Sequence, residues 1–147
     1  MAIAVVGMLD EREEGLQLIK DHIEKRGHRP VLIDISIGTG AIESSLKPDI
    51  DCHALARSGG TTIEKVREML AKERDKATAV MADGLGKIFQ ENHQAGHLQG
   101  IIAVGGMSGT FIALSAMKLL PFGVPKLLIS SVAAMPAYAK KLAEFFG

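Results

Sequence analysis

Residues 101–110, Ile101-Ile102-Ala103-Val104-Gly105-Gly106-Met107-Ser108-Gly109-Thr110, decide the fold of this 147-residue chain. Four apolar residues break into glycines and run into the amphipathic stretch 111–120, which reads as a buried strand, a tight turn and a helix start. The first turn of a helix holds backbone N–H groups without intrahelical acceptors and carries the positive end of the macrodipole, so such a junction suits an anion. Gly105, Gly106 and Gly109 would let backbone approach a ligand closely, and Ser108 and Thr110 can each add a hydroxyl donor. The alternative is a loop that only joins strand to helix.

On either side of this junction, strands and helices alternate. Residues 2–6 read as a strand ending at Gly7, and residues 11–26 place Leu16, Ile19 and Ile23 on one helical stripe that Gly27 stops. Pro30 precedes a strand over 31–35. Thr61 and Glu64 have the spacing of a capping box, after which Ile63, Val66 and Leu70 fall at helical spacing. Asp75 is expected to cap a further helix with Ala77, Val80, Met81, Leu85 and Ile88 on its buried face and Gly96 near its end. Residues 101–104 and 126–130 make two more strands, and a last helix follows Pro136.

Near-continuous apolar strands separated by helices imply parallel pairing with both faces covered, because a parallel neighbour is reached only through a crossover. The class is therefore α/β, a doubly wound parallel sheet of three α/β/α layers, with strand order 2-1-3-4 expected. Ligands of such sheets sit beyond the carboxyl ends of the strands, where the order reverses. Gly7, Met8, Leu9 and Asp10 would then flank one crevice with residues 105–110. Asp34 and Ser130 end the other two strands.

The length fits one domain with a real core, and an apolar fraction of 47% excludes disorder. Seventeen basic and seventeen acidic residues cancel, so no electrostatic footprint points to nucleic acid or to an acidic membrane surface. With no Trp and a single Tyr, rings that could stack bases are missing too. A lone cysteine, Cys52, rules out an intrachain disulfide and suggests a reducing compartment. The apolar start is short and lacks a basic leader, and no run has the length to span a bilayer, so a cytoplasmic location is expected.

Residues 36–60, with Gly38, Gly40, Pro48, Gly59 and Gly60, form a long connection of the kind that serves as lid, binding loop or contact surface. The alternative is a short edge strand around residues 53–56. Asp49, Asp51, Cys52 and His53 have a metal-like composition but no second ligand pair at the required spacing, so no metal site is expected.

Sharper motifs mostly fail. Gly7-Met8-Leu9-Asp10 lacks the later glycines of a dinucleotide fingerprint, although Asp34 sits where a ribose-binding acid would. No lysine follows the glycine turn, so a phosphate-hydrolysing P-loop is absent. Gly106-Met107-Ser108-Gly109-Thr110 approaches a nucleophile elbow, yet no histidine follows Ser108 in the chain, and His93 and His97 read as solvated residues near a helix end. Asp10, with Glu11, Glu13 and Glu14 behind it, reads as a helix cap with an acidic first turn; its alternative is a catalytic carboxylate at a strand end.

These residues resemble a poorly characterised family similar to the N-terminal ATP-binding domain of the tomato mosaic virus resistance protein. The matching stretches are residues 3–10, Gly27-His28 leading to Leu32-Ile33-Asp34, residues 79–84, residues 100–110 and residues 123–130, in order along nearly the whole chain. The resemblance implies a Rossmann-like domain that binds ATP or a related nucleotide, in a protein that self-associates, with a second α/β domain following in longer members. Its Gly-Thr-Leu-Asp turn falls on Gly7, Met8, Leu9 and Asp10, and its glycine-rich loop on Gly105, Gly106, Met107, Ser108, Gly109 and Thr110. Met8 and Met107 stand where the family carries hydroxyls, and Ser108 where it carries glycine.

The leading expectation is a domain for an ATP-like nucleotide or another phosphorylated small molecule, with 105–110 as phosphate cradle, 7–10 beside it and Asp34 toward the ribose. One alternative is a small-metabolite enzyme using Ser108 as nucleophile or Asp10 as acid or base, its site completed by a second domain. Another is a protein-interaction or dimerisation module, with the long loop and Tyr138, Leu142 and Phe145 of the last helix as the contact.

Overall fold

A computed structural model describes residues 1–146, without the side chains of residues 141, 145 and 146, so Phe145 lies outside the described side chains. β1 (Ala2–Gly7), β2 (Arg29–Asp34), β3 (Gly100–Gly105) and β4 (Lys126–Ser130) form one sheet in the order β2-β1-β3-β4. Every pair is parallel. The order expected from the sequence is the order found. β2 starts earlier than expected and takes in Pro30, whose missing N–H is tolerated because β2 is an edge strand.

The layers follow from the direction in which the chain steps across the sheet. From β1 to β2 it moves one way, and from β2 through β3 to β4 it moves the other. Right-handed crossovers therefore put α1 (Leu9–Lys25) on one face and α2 (Cys52–Ser58), α3 (Ile63–Lys72), α4 (Arg74–Gln94) and α5 (Met107–Met117) on the opposite one. Strand residues alternate accordingly: Val5 and Leu32 pack with Leu9, Leu16 and Ile23 of α1. Ala4, Val6, Ile33, Ile101 and Ala103 pack in the larger cluster with Met81, Leu85, Phe89 and Ile112.

Several helix boundaries correct the sequence reading. Met8 is the N-cap of α1, so Asp10 is a first-turn residue and not the cap. Thr62 rather than Thr61 caps α3, its hydroxyl accepting from Lys65 N–H at 3.3 Å. Glu73 stands at the N-cap of α4, with Asp75 inside the first turn. α5 begins at Met107, ahead of the apolar stretch 111–120, so the residues read as a turn form its first helical turn. At the other ends, Gly27 (φ +79°) follows α1 as expected, and the amides of Gly27 and His28 return to the carbonyls of Glu24 and Ile23. That pairing satisfies carbonyls the helix end would leave bare.

Residues 53–56 lie in helix α2, not in an edge strand, and Asp51 caps that helix by accepting Ala54 N–H at 2.9 Å. The remainder of the long connection, residues 35–51, is a strap across the first two turns of α1. Ile42 N–H donates to Asp10 O at 2.9 Å, Ser44 Oγ and Ser45 N–H both donate to Glu13 Oε1 at 2.9 Å, and Thr39 Oγ1 bonds Glu11. Gly40 lies so close to Asp10 that an added side-chain carbon would overlap the Asp10 carbonyl. Ile35 and Ile37, at its start, are fully buried in the larger cluster on the face away from α1. α6 (Pro136–Phe146) follows β4 and, among the described residues, packs extensively on no other element.

Candidate anion site at the switch point of the sheet

The strand order reverses between β1 and β3, so Gly7 and Gly105 end neighbouring strands with α1 leaving one face and α5 the other. Two helix N-termini therefore meet at this edge. Their donors are in different states.

At α1 the protein supplies its own acceptors. Asp34 Oδ1, at the end of β2, accepts Leu9 N–H at 3.1 Å, and Ser36 Oγ accepts Asp10 N–H at 3.3 Å. The same carboxylate oxygen accepts Ser36 N–H at 3.0 Å and Ser36 Oγ–H at 2.6 Å. Asp34 thus caps a helix far from it in sequence. The side chain of Met8 is buried, and Asp10 Oδ2 accepts Gly40 N–H at 3.2 Å while Oδ1 is buried without a partner among the described residues. With Asp10 and Glu11 in its first turn, this end repels a second anion.

At α5 the donors are open. Gly106 is the N-cap and no side chain caps the helix. Among the described residues, the amides of Met107, Ser108 and Gly109 meet no protein acceptor, whereas Thr110 N–H returns to Gly106 O at 3.1 Å. Gly105 has to be glycine for steric reasons, because a side-chain carbon there would lie 2.5 Å from Thr110 N and 2.7 Å from Gly109 C. Gly109 has no such constraint: its nearest neighbours would be at 3.9 Å.

Arg12 reaches this open end from α1. Its backbone leaves helical geometry (φ −130°, ψ 27°), and its Nη2 donates to Ser131 Oγ at 3.4 Å. A side-chain carbon built on Gly106 would lie 3.1 Å from the same nitrogen. No carboxylate pairs with Arg12 among the described residues. A cation and free helix-end amides therefore share one edge of the sheet.

The other expected contacts take structural positions. Thr110 is buried, and its hydroxyl is 2.7 Å from Ser130 Oγ, which in turn accepts Val132 N–H at 3.3 Å. Ser108 is half-buried on the first turn, with no base hydrogen-bonded to it among the described residues, and Met107 is exposed. Of the acidic group near α2, Asp49 accepts Leu32 N–H at 2.8 Å and Asp51 is the cap. Burial, helped by the negative charge of Asp34 and opposed by Arg67, pushes the Cys52 thiol up to about 11. His93 and His97 lie where α4 ends before β3 begins, at the edge opposite Ser108. The sequence reading missed Arg12, Ser36 and Ser131; Arg12 carried no signal beyond a charge in an acidic turn.

An arginine turned toward a glycine helix start, on a domain of this topology, can be set beside known proteins. Residues 1–142 match the profile of the uncharacterised protein family UPF0261, N-terminal domain. The chain belongs to this family. It is 36% identical over 132 residues to a UPF0261 protein of Clostridium tetani, covering 90% of this chain and 31% of that one. A UPF0261 protein of Brucella suis is 36% identical over 132 residues, covering 89% and 30%. The tomato ToMV resistance protein Tm-1(GCR237) is 25% identical over 146 residues, covering 88% of this chain and 18% of its own length. The chain thus spans about a third of the bacterial family members it matches, at 31% and 30%. No helix among the described residues is long and apolar enough to cross a membrane.

Proposed function

We propose that this domain binds an ATP-like nucleotide or another phosphorylated small molecule, with the phosphate at the N-terminus of α5. The observation that carries the reading is the placement of Arg12 against Gly106, beside first-turn amides that no protein group caps. Backbone N–H groups and an arginine fork together match the oxygens of a phosphate, and each charge-assisted bond there is stronger than a neutral one. Ser131, which already holds Arg12, and Ser108, on the helix start, add hydroxyls. The ribose would face Asp34 Oδ2, since Oδ1 is taken by the cap. The domain would work as the first part of a longer, self-associating cytoplasmic protein.

Thermal melts with ATP and with inorganic pyrophosphate test this. A ligand that binds only the folded state stabilises it by about 2.7 kcal/mol when present at about 100 times Kd. Both compounds should raise Tm, and Arg12→Ala should remove most of the shift while leaving the ligand-free Tm close to wild type. Gly106→Val, whose branched side chain would occupy the space at the guanidinium, should abolish it. Millimolar ATP and pyrophosphate that leave Tm unmoved would reject the reading.

A further inference from the structure

The sheet is covered unevenly. Ile102 sits beside Leu127 and Val104 beside Ile129 across the β3–β4 pair. Ile102 and Val104 belong to the face that α1 packs on, and Leu128 packs into the opposite cluster, so Leu127 and Ile129 point to the α1 side. α1 lies over β1, β2 and part of β3, which leaves Leu127 53% and Ile129 47% exposed. Parallel sheets are ordinarily buried on both faces, and the wet half of this one is apolar.

A second apolar surface lies a short way along the same chain. α6 carries apolar residues at 138, 142, 145 and 146, the spacing of one helical stripe. Its other described residues, Ala137, Ala139, Lys140, Ala143 and Glu144, are exposed. We propose that α6 folds back over β3 and β4 and covers Ile102, Val104, Leu127 and Ile129.

Length, reach and tethering fit. An 11-residue helix is about 16 Å long at a rise of about 1.5 Å per residue, and the 5-residue strand β4 spans about the same distance. Residues 132–135 form a turn in which Met135 N–H returns to Val132 O at 3.0 Å; opened, they reach about 14 Å, against a layer separation of about 10 Å, with Ser131 left in place. Because stripe and face belong to one chain joined by a short linker, their effective concentration is on the order of millimolar, which favours α6 over a separate molecule. The proposal is independent of the anion reading.

Tyr138 is the single tyrosine of a chain without tryptophan, so tyrosine emission reports on α6 alone. Acrylamide should quench it several-fold less than it quenches N-acetyltyrosinamide, at every protein concentration. Ile129→Glu on the face and Leu142→Glu on the stripe should each restore free quenching, with the far-UV dichroism of the domain retained. Should the strand substitution impair folding, the helix substitution decides alone, since α6 lies outside the packed core. Free quenching in the wild type would overturn the proposal, as would protection that survives both substitutions. Protection that grows with protein concentration alongside a dimer in sedimentation would assign the face to a second copy and overturn it too.

Discussion

Asp34 Oδ1 accepts the backbone amide of Leu9 at 3.1 Å, so the last residue of β2 caps the helix that begins after β1. A carboxylate at this end also complements the positive end of the α1 dipole. Asp34→Ala is therefore expected to lower stability by about 1–2 kcal/mol, the range of a lost N-cap, in urea unfolding without nucleotide. A residue that served only a ribose would leave the ligand-free protein unchanged.

Gly105 and Gly109 separate two reasons for glycine at one turn. Alanine at 105 forces its side-chain carbon against the backbone of Gly109 and Thr110, so β3 and α5 have to move apart at a cost of about 1–3 kcal/mol. Alanine at 109 meets only ordinary contacts at 3.9 Å and should be neutral or stabilise by up to about 1 kcal/mol, through helix propensity and a less flexible unfolded chain. Chemical denaturation of the two variants checks the contrast.

Cys52 should be silent at neutral pH. Burial is the main reason its thiol titrates near 11 instead of its ordinary 9.0, so iodoacetamide should label it only as fast as urea unfolds the chain. Because the folded pKa is raised, its contribution to stability is complete below 9.0 and declines as pH climbs toward 11, where the unfolded chain has ionised and the folded chain has not. Cys52→Ala should flatten that decline in denaturation midpoints measured across the window.

Glu13 works in the opposite direction. The amide of Ser45, then the hydroxyl of Ser44, hold its carboxyl below the ordinary 4.5. A depressed folded pKa stabilises above 4.5, and the contribution is lost as pH falls below it through the folded value. Glu13→Gln should therefore differ most from wild type near neutrality, with the gap closing in acid. Amide exchange at residues 44 and 45 measures whether the strap loosens with it.

How much of this was legible beforehand depended on the range of the interaction. Strand order and layer structure could be read because apolar runs in 2–6, 101–104 and 126–130 alternate with helical stripes, and handed crossovers admit few arrangements. Helix starts were misplaced by local rules: Asp10, Thr61 and Asp75 look like caps, yet Asp34 and Ser36 do that work for α1 and Thr62 for α3. The 53–56 strand failed because Asp51 starts a helix there.

The sequence by itself determined a parallel α/β sheet with a glycine turn opening a helix at its switch point, because period and punctuation are local properties of the chain. Only the tertiary structure decided which of two helix ends stays open. That choice rests on Asp34 and Ser36 folding onto α1 and on Arg12 leaving helical geometry to reach Ser131. Hydrogen bonds between residues so far apart in the chain have no local pattern, since proximity in space, not spacing in sequence, makes them.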